Sequence, residues 1–502
     1  MIEEGRPIPV TADRFSFRSP AVSADAAGGP SRPLILLYNP RAPFHTMPLG
    51  LLAVASALDR ARFDVAIVDG RLEADPVVTL LRQMEGRRTL LLGLGVLTGA
   101  PIGDALAVGR AIKAVHPRLP VVWGGWHPSL FPTECLAEAS VDVTVQGQGE
   151  ATLADLVERF ALGSPLDDCL GISFRRPDGA IQQNPPRPWL TQEQLPPVEY
   201  SLLDVERYFG FKGRRQLDYV SSQGCFWRCG FCADPRVYGR QWSGQGGAAL
   251  AERLLALHDH YRFDDLNFQD ETFFTRPKEV LVMAERLLAA GRPFSWAATM
   301  RADQGDRLAD EDFELLAASG LRRVLVGVES GSQAMLDWMQ KDIQLPQVLV
   351  TADKCRRAGI GVEFPFIVGF PGESAAAVTA SLNLAWTLRA MSPRFTTPIF
   401  FFRPYPGSAI TQEMERQGHR LPSSLEEWAR FDIYGGGSWV DETTLRRVER
   451  FRFYQRIGWD PPPGAWKRPL AALARWRCRS GRFGWPLEML AAERVRPRTA
   501  LS

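Results

Sequence analysis

The 502-residue chain is short of several features that would place it in a class at once. It has no run of eighteen or more apolar residues. The longest, around Thr89 to Ile102, is broken by glycines, so no bilayer-spanning helix is expected. The opening residues, MIEEGRPIPVTADRFSF, lack a basic region followed by an apolar run, which argues against a secretory signal. With 59 Lys and Arg against 57 Asp and Glu, the formal net charge is only +2, so the basic signature of a nucleic-acid binder is missing. No G-x-G-x-x-G opens the first helix, which argues against a dinucleotide. Seven cysteines are too few for a disulfide framework in a chain this long, so the expected compartment is reducing and cytoplasmic.

Three of those cysteines are not scattered. Cys225, Cys229 and Cys232 stand at spacing Cys-x3-Cys-x2-Cys, after a short apolar strand (Leu217 to Ser222) and a turn at Gly224. Thiolates are soft ligands for iron–sulfur clusters and zinc. A zinc site would want a fourth Cys or His, and the nearest downstream candidates, His258 and His260, fall on a predicted helix. An electron-carrying ferredoxin would supply a fourth cysteine, and none is nearby. Three ligands on a [4Fe–4S] cluster leave one iron open to a substrate or cofactor. Phe226, Trp227 and Phe231 between the ligands predict a dry shell around such a centre, or equally simple core packing. Cys135, Cys169, Cys355 and Cys478 have no partner at ligand spacing and read as small buried apolar residues, with no auxiliary cluster.

The rest of the chain divides around that loop. Residues 1–32 read as a flexible arm. From 33 to 170, strands at Leu34 to Pro40, Phe63 to Gly70, Thr89 to Gly99, Leu119 to Gly125 and Val141 to Glu150 alternate with helices. Near-continuous Leu and β-branched strands predict an α/β, doubly wound parallel sheet of Rossmann-like form. Ligands of such sheets sit beyond the carboxyl ends of the strands. Residues 171–200 read as a joint, a hairpin about Pro177, Asp178 and Gly179 followed by a proline-rich strap. From 201 to 415, six strand–helix units predict an incomplete barrel, with Asp270, Glu271, Arg301, Glu329, Ser330, Gly369 and Gly372 near its strand ends. Residues 416–502 read as a mainly helical extension rich in Arg and Trp. Its segment Trp466 to Pro486 is either an interfacial helix at a membrane or a solvated helix packed on the barrel. The loop Tyr434 to Ser438 is either a substrate entrance or a plain turn.

The cysteine spacing on a strand-following loop resembles the signature of the radical SAM superfamily. The loops RAPFHTMPLG, LTGAP, GGWHPS and GQGE ahead of it resemble the cobalamin-binding domain that precedes many radical SAM cores, with Gln148 where that family usually has Glu. The resemblance implies a partial (β/α)6 core and three cofactors: a [4Fe–4S] cluster on Cys225, Cys229 and Cys232, S-adenosylmethionine and cobalamin. It assigns S-adenosylmethionine to Phe231, Asp270, Glu271, Arg301, Glu329, Ser330, Gly369 and Gly372. Cobalamin falls to Thr98, Gly99, Gly124, Gly125, Trp126, His127, Gly147 and Glu150. His45 is the one candidate cobalt ligand, but Pro43 stands where a carboxylate normally orients such a histidine, and cobalamin held without a protein histidine is the alternative. A Rossmann-like module for another ligand also stays open.

The activity implied is a cobalamin-dependent radical SAM methyltransferase. One S-adenosylmethionine would methylate cobalamin, and a second would yield the 5′-deoxyadenosyl radical that activates an unactivated carbon. An anaerobic cyclase resembling the magnesium-protoporphyrin monomethyl ester enzyme is the alternative, supported by RPYPGS (Arg403 to Ser408). A non-catalytic corrinoid or cluster carrier or sensor is the third. The implied partners are a small-molecule, lipid or tetrapyrrole substrate and an external reductant such as flavodoxin or ferredoxin. Peripheral membrane contact through the extension is possible on this reading, and no nucleic acid is expected.

Overall fold

The computed structural model describes residues 32–431, 437–459, 468–484, 486, 488 and 489. The expected arm over 1–32 lies almost wholly outside these, as do most of the Tyr434 to Ser438 loop and parts of the Trp466 to Pro486 segment.

Five parallel strands build the first sheet: β1 (Leu34–Asn39), β2 (Asp64–Asp69), β3 (Thr89–Gly95), β4 (Val121–Gly124) and β5 (Val143–Val145). Their spatial order is 2-1-3-4-5. Along β1, Leu34, Leu36 and Tyr38 enter one core while Ile35 and Leu37 enter another, because successive strand side chains point to opposite faces. Both faces are covered by helices, which is why the strands read as unbroken apolar runs. The order reverses between β1 and β3, opening a crevice at their carboxyl ends.

The hairpin assigned to the joint corrects that boundary. Its strands, β6 (Ile172–Arg175) and β7 (Ile181–Gln183), pair antiparallel and extend the first sheet beyond β5. Only the stretch from about Asn184 to Glu199 runs as an irregular strap.

The second body begins with β8 (Gln216–Tyr219), then the short β9 (Ser222–Gly224) and β10 (Trp242–Gly244). It continues through β11 (Asp265–Phe268), β12 (Ser295–Met300), β13 (Leu321–Val326), β14 (Gly361–Glu363), β15 (Phe366–Val368), β16 (Phe395–Thr396) and β17 (Ile399–Phe401). Strands 8, 11, 12, 13, 14 and 16 form one all-parallel sheet in that sequential order, the expected six-unit barrel. β9 and β10 pair antiparallel on either side of the cysteine loop, and β15 and β17 pair parallel as a separate two-stranded sheet.

The extension is less separate than its composition suggests. Helices Glu442–Trp459 and Arg468–Ser480 place Val448, Phe451, Tyr454, Ala474 and Cys478 in the barrel core. Helix Leu425–Ala429 turns back to the first body, where Leu425 and Trp428 join the core of its sheet. Arg475 donates to the Gly458 carbonyl at 2.6 Å, and Arg477 pairs with Glu488 at 3.1 Å, so these arginines brace the fold. Among the described residues no helix is long and apolar enough to cross a membrane.

Candidate active site

The cysteine loop leaves the barrel through a tight turn. Gly224 has φ of 80°, and a Cβ there would stand 2.3 Å from the Gln241 carbonyl oxygen, so only glycine fits. The loop is pinned in its middle: the Gly230 amide donates to Met339 at 2.7 Å, and its carbonyl accepts from Ile410 at 2.9 Å. Cys225, Cys229 and Cys232 are half-buried free thiols. Burial pushes the Cys225 thiol up to about 11 and the Cys232 thiol well above its usual value, a cost that positive metal charge offsets on coordination. Among the described residues no three Cys, His, Asp or Glu side chains converge on one single-ion position, whereas a cluster spreads its thiolates over separate irons.

Beside this loop lies a cavity of about 560 Å³, between the carboxyl ends of the two sheets. Asn39, Gly95, Leu97, Gly124, Gly125 and Gly147 form the wall on the first body. Tyr219, Gln223, Tyr238, Gln269 and Glu271 form the wall on the barrel. Gly125 sits at φ 101°, and a Cβ would come within 3.0 Å of the Val96 carbonyl oxygen, so backbone stands where a side chain would intrude. Ser129 ties two of these loops together, donating to the Gly125 carbonyl at 2.7 Å and accepting from the Gly147 amide at 3.0 Å. A glycine-paved floor of this kind admits a large flat ligand, and the adjacent thiol triad has the donor chemistry of an iron–sulfur site.

Residues 37–157 match the B12 binding domain family, and residues 219–385 match the Radical SAM superfamily. The chain belongs to the cobalamin-binding radical SAM superfamily. Its cofactors are those of that family: cobalamin, an iron–sulfur cluster and S-adenosylmethionine. It is 28% identical over 372 residues to an uncharacterised methyltransferase of Pyrococcus horikoshii, covering 72% of this chain and 77% of that protein. It is 27% identical over 320 residues to the anaerobic magnesium-protoporphyrin IX monomethyl ester cyclase of Synechocystis, covering 61% and 63%. The radical S-adenosylmethionine methyltransferase TsrM from Kitasatospora setae, solved with cobalamin and a [4Fe-4S] cluster, shares the fold. Its TM-score is 0.65 at 18% identity, over 80% of this chain and 81% of that one.

Of the residues assigned to cobalamin, Gly124, Gly125, Trp126, Gly147 and Glu150 line the cavity of this cobalamin-binding radical SAM protein. Thr98, Gly99 and His127 are not part of its lining. Gly125 turns the chain so that the His127 ring is fully buried behind the loop, 3.2 Å from Thr98 Oγ1 and packed on Phe131 and Trp428. Burial lowers its pKa to about 4, so the ring is neutral. Gly99 caps helix Ala100–Val115 and faces Phe431. His45 is exposed and stacks on Phe211 at 4.8 Å, between Phe44 and Thr46 of the cavity lining but not part of it.

The residues assigned to S-adenosylmethionine fall into two groups. Asp270 and Ser330 are buried and already occupied. Asp270 accepts from the Ser221 and Ser222 hydroxyls at 2.7 and 2.5 Å, and Ser330 lies 3.2 Å from Ser381 Oγ. The others remain near open space or the cysteine loop. Glu271 lines the cavity and accepts from Tyr238 at 3.2 Å; burial, with repulsion from Asp234, pushes its carboxyl up to about 8. Glu329 is held at φ 66°, an uncommon conformation for a side-chain-bearing residue, and pairs with buried Lys341 at 2.7 Å. Phe231 lies 5.6 Å from the same Lys341 ammonium. Arg301 reaches the cysteine loop, Gly369 packs on Val440 and Phe401, and Gly372 is open.

Three residues of this region had no place in the sequence reading: Gln223, Tyr238 and Lys341. Arg71, in the DGR loop after β2, lines the cavity while bound to Asp69 at 2.6 Å. Its signal was visible, a charged residue directly after a buried strand. The other three carry no local pattern.

Proposed function

We propose that this protein is a cobalamin-dependent radical SAM methyltransferase acting on an unactivated carbon of a small, partly hydrophobic molecule. The observation that carries the reading is a cavity walled by the strand ends of both bodies, with Gln223, two residues before Cys225, in its lining. Beside it Cys225, Cys229 and Cys232 hold a [4Fe–4S] cluster, while Gly124, Gly125, Trp126, Gly147 and Glu150 cradle cobalamin in it. When bound, the cluster supplies the electron that cleaves S-adenosylmethionine, and cobalamin supplies the methyl group that is transferred. Glu271, with Phe231, Glu329, Gly369 and Gly372, receives S-adenosylmethionine from the barrel side, and Asp270 and Ser330 brace that wall. The protein's part is to position these groups and exclude water, for which Leu37, Leu51, Val54, Leu94 and Leu153 give an apolar lining. An external one-electron carrier such as flavodoxin or ferredoxin is required.

The test is anaerobic reconstitution with iron, sulfide and cobalamin, then turnover with methyl-labelled S-adenosylmethionine and candidate lipids or tetrapyrroles. Label in the product together with 5′-deoxyadenosine supports the proposal. The likeness to the Synechocystis cyclase and the RPYPGS segment (Arg403 to Ser408) favour one second reading, oxidative ring closure. That reading predicts an unlabelled product. A carrier or sensor would form no 5′-deoxyadenosine.

A further inference from the structure

Arg301 is the one cation with a donor directed at a ligand sulfur of the cysteine triad in the described structure. It is only 7% exposed, and three of its five N–H donors are directed at protein oxygens. Nε donates to Asp303 Oδ1 at 2.9 Å, and Nη2 donates to the carbonyls of Lys341 and Asp342 at 2.8 and 3.2 Å. The guanidinium plane lies over the ring of Trp227, 3.6 Å from its centroid, so it is stacked on a residue of the cysteine loop itself. The remaining nitrogen, Nη1, stands 4.0 Å from Cys229 Sγ. Asp303 does not cancel this charge alone, because its other oxygen is taken by Arg307 at 2.8 Å. The neighbouring Lys341 adds little net field, since Glu329 neutralises it at 2.7 Å. A fixed guanidinium, whose counter-ion Asp303 is shared with Arg307, is thus clamped beside one ligand sulfur.

We propose that Arg301 is a positioning residue that sets the reduction potential of the cluster through Cys229, rather than a direct ligand of S-adenosylmethionine. Reduction adds one electron to the cluster, and a fixed cation in a partly desolvated site stabilises that added negative charge. Net charge and hydrogen bonding at the sulfurs are the levers by which proteins tune such potentials. The stack on Trp227 and the two carbonyls hold the guanidinium in place through the redox change, so little reorganisation is needed.

The inference rests on the cluster being held by the triad, and one experiment separates the two. Wild type, Arg301→Gln and Arg301→Lys are reconstituted anaerobically. Each is assayed for iron and sulfide, for midpoint potential by redox titration followed with electron paramagnetic resonance, and for S-adenosylmethionine affinity. Wild type without iron would defeat the cluster reading itself. With a cluster present, Arg301→Gln is expected to lower the reduced-to-oxidised ratio at fixed potential at least tenfold, about 59 mV for one electron. Arg301→Lys should lower it less than threefold, with S-adenosylmethionine affinity held within threefold in both. An unchanged potential in Arg301→Gln, or a large loss of affinity with the potential intact, overturns the inference. If Arg301→Gln takes up no iron, Asp303→Asn decides instead: removing the counter-charge must raise the potential, and no rise overturns the inference.

Discussion

Gln223 joins the two bodies of the protein through both ends of its amide. Its Nε2 donates to Glu150 Oε1 at 2.7 Å, and its Oε1 accepts from Gln148 Nε2 at 2.8 Å. Gln223 is two residues from Cys225, while Gln148 and Glu150 close the loop after β5. The glycine-rich loops of the cobalamin domain and the cysteine loop of the barrel are therefore in register through one side chain. Gln148 also explains a departure from the family pattern. Its amide donates to the Leu190 carbonyl at 3.0 Å and accepts from the Leu190 amide at 2.9 Å, and an ionised glutamate could not donate.

Gln223→Met should therefore remove one hydrogen bond from the buried Glu150 carboxyl and one from the Gln148 amide while keeping the volume. The expected loss is about 1–3 kcal/mol of stability. Cobalamin retention on gel filtration should fall with it, while iron content stays at the wild-type level. Equal loss of both cofactors would show that the residue supports the fold generally and not this junction.

Replacing any one of Cys225, Cys229 or Cys232 by Ala should abolish iron incorporation and 5′-deoxyadenosine formation. Cobalamin binding should survive, because the glycine-lined wall belongs to the other body. Iron and cobalt measured on the same sample check this directly.

Gly125→Ala is the converse case. Its φ of 101° is a region that side-chain-bearing residues rarely occupy, and the new Cβ would press on the Val96 carbonyl at 3.0 Å. The strain costs roughly 1–3 kcal/mol. The loop moves into the cavity to relieve it, so cobalamin binding should weaken at least tenfold while the variant keeps its cluster.

Glu271 makes stability pH-dependent in a definite direction. Burial raises its carboxyl to about 8, so between the ordinary glutamate range and about pH 8 the folded state holds a proton that the unfolded chain has released. This contribution is complete below the unfolded value and is lost as pH rises through about 8. Glu271→Gln cannot ionise and should flatten the decline in denaturant midpoint over that window. Parallel slopes for the two proteins would remove Glu271 as the cause.

How far these relationships could be read from the chain depended on their range. The five strands around Leu34, Phe63, Thr89, Leu119 and Val141 announced themselves because burial on both faces demands continuous apolar runs. The six barrel strands followed from the same logic, and the thiol triad from its spacing. His127 was placed at its strand end, but the burial of its ring could not be read, since Gly125 decides which way the chain turns and a motif carries no dihedral. Gln223 and Lys341 are single polar residues whose partners lie 73 and 12 positions away. No local periodicity marks them. The antiparallel hairpin was recognised, yet its docking on β5 was not, because β6 is a four-residue strand, buried from Ile172 to Phe174, too short for its pattern to name a partner.

Trp428 shows the longest of these relationships and carries a prediction of its own. It lies in the extension, yet its ring is fully buried against Phe131 and His127 of the cobalamin domain, at 5.3 and 5.6 Å. Arg110 holds Glu426, two residues earlier, at 2.7 Å. The surface ion pair contributes little by itself, so the buried indole is what fastens the extension to the first body. Trp428→Ala should cost about 3–5 kcal/mol and free the segment around Leu425–Ala429. Limited proteolysis should then cut near residue 430 well before the barrel is attacked, whereas Arg110→Ala should leave that site protected. If the two variants are cut equally fast, the clasp is the ion pair and not the indole.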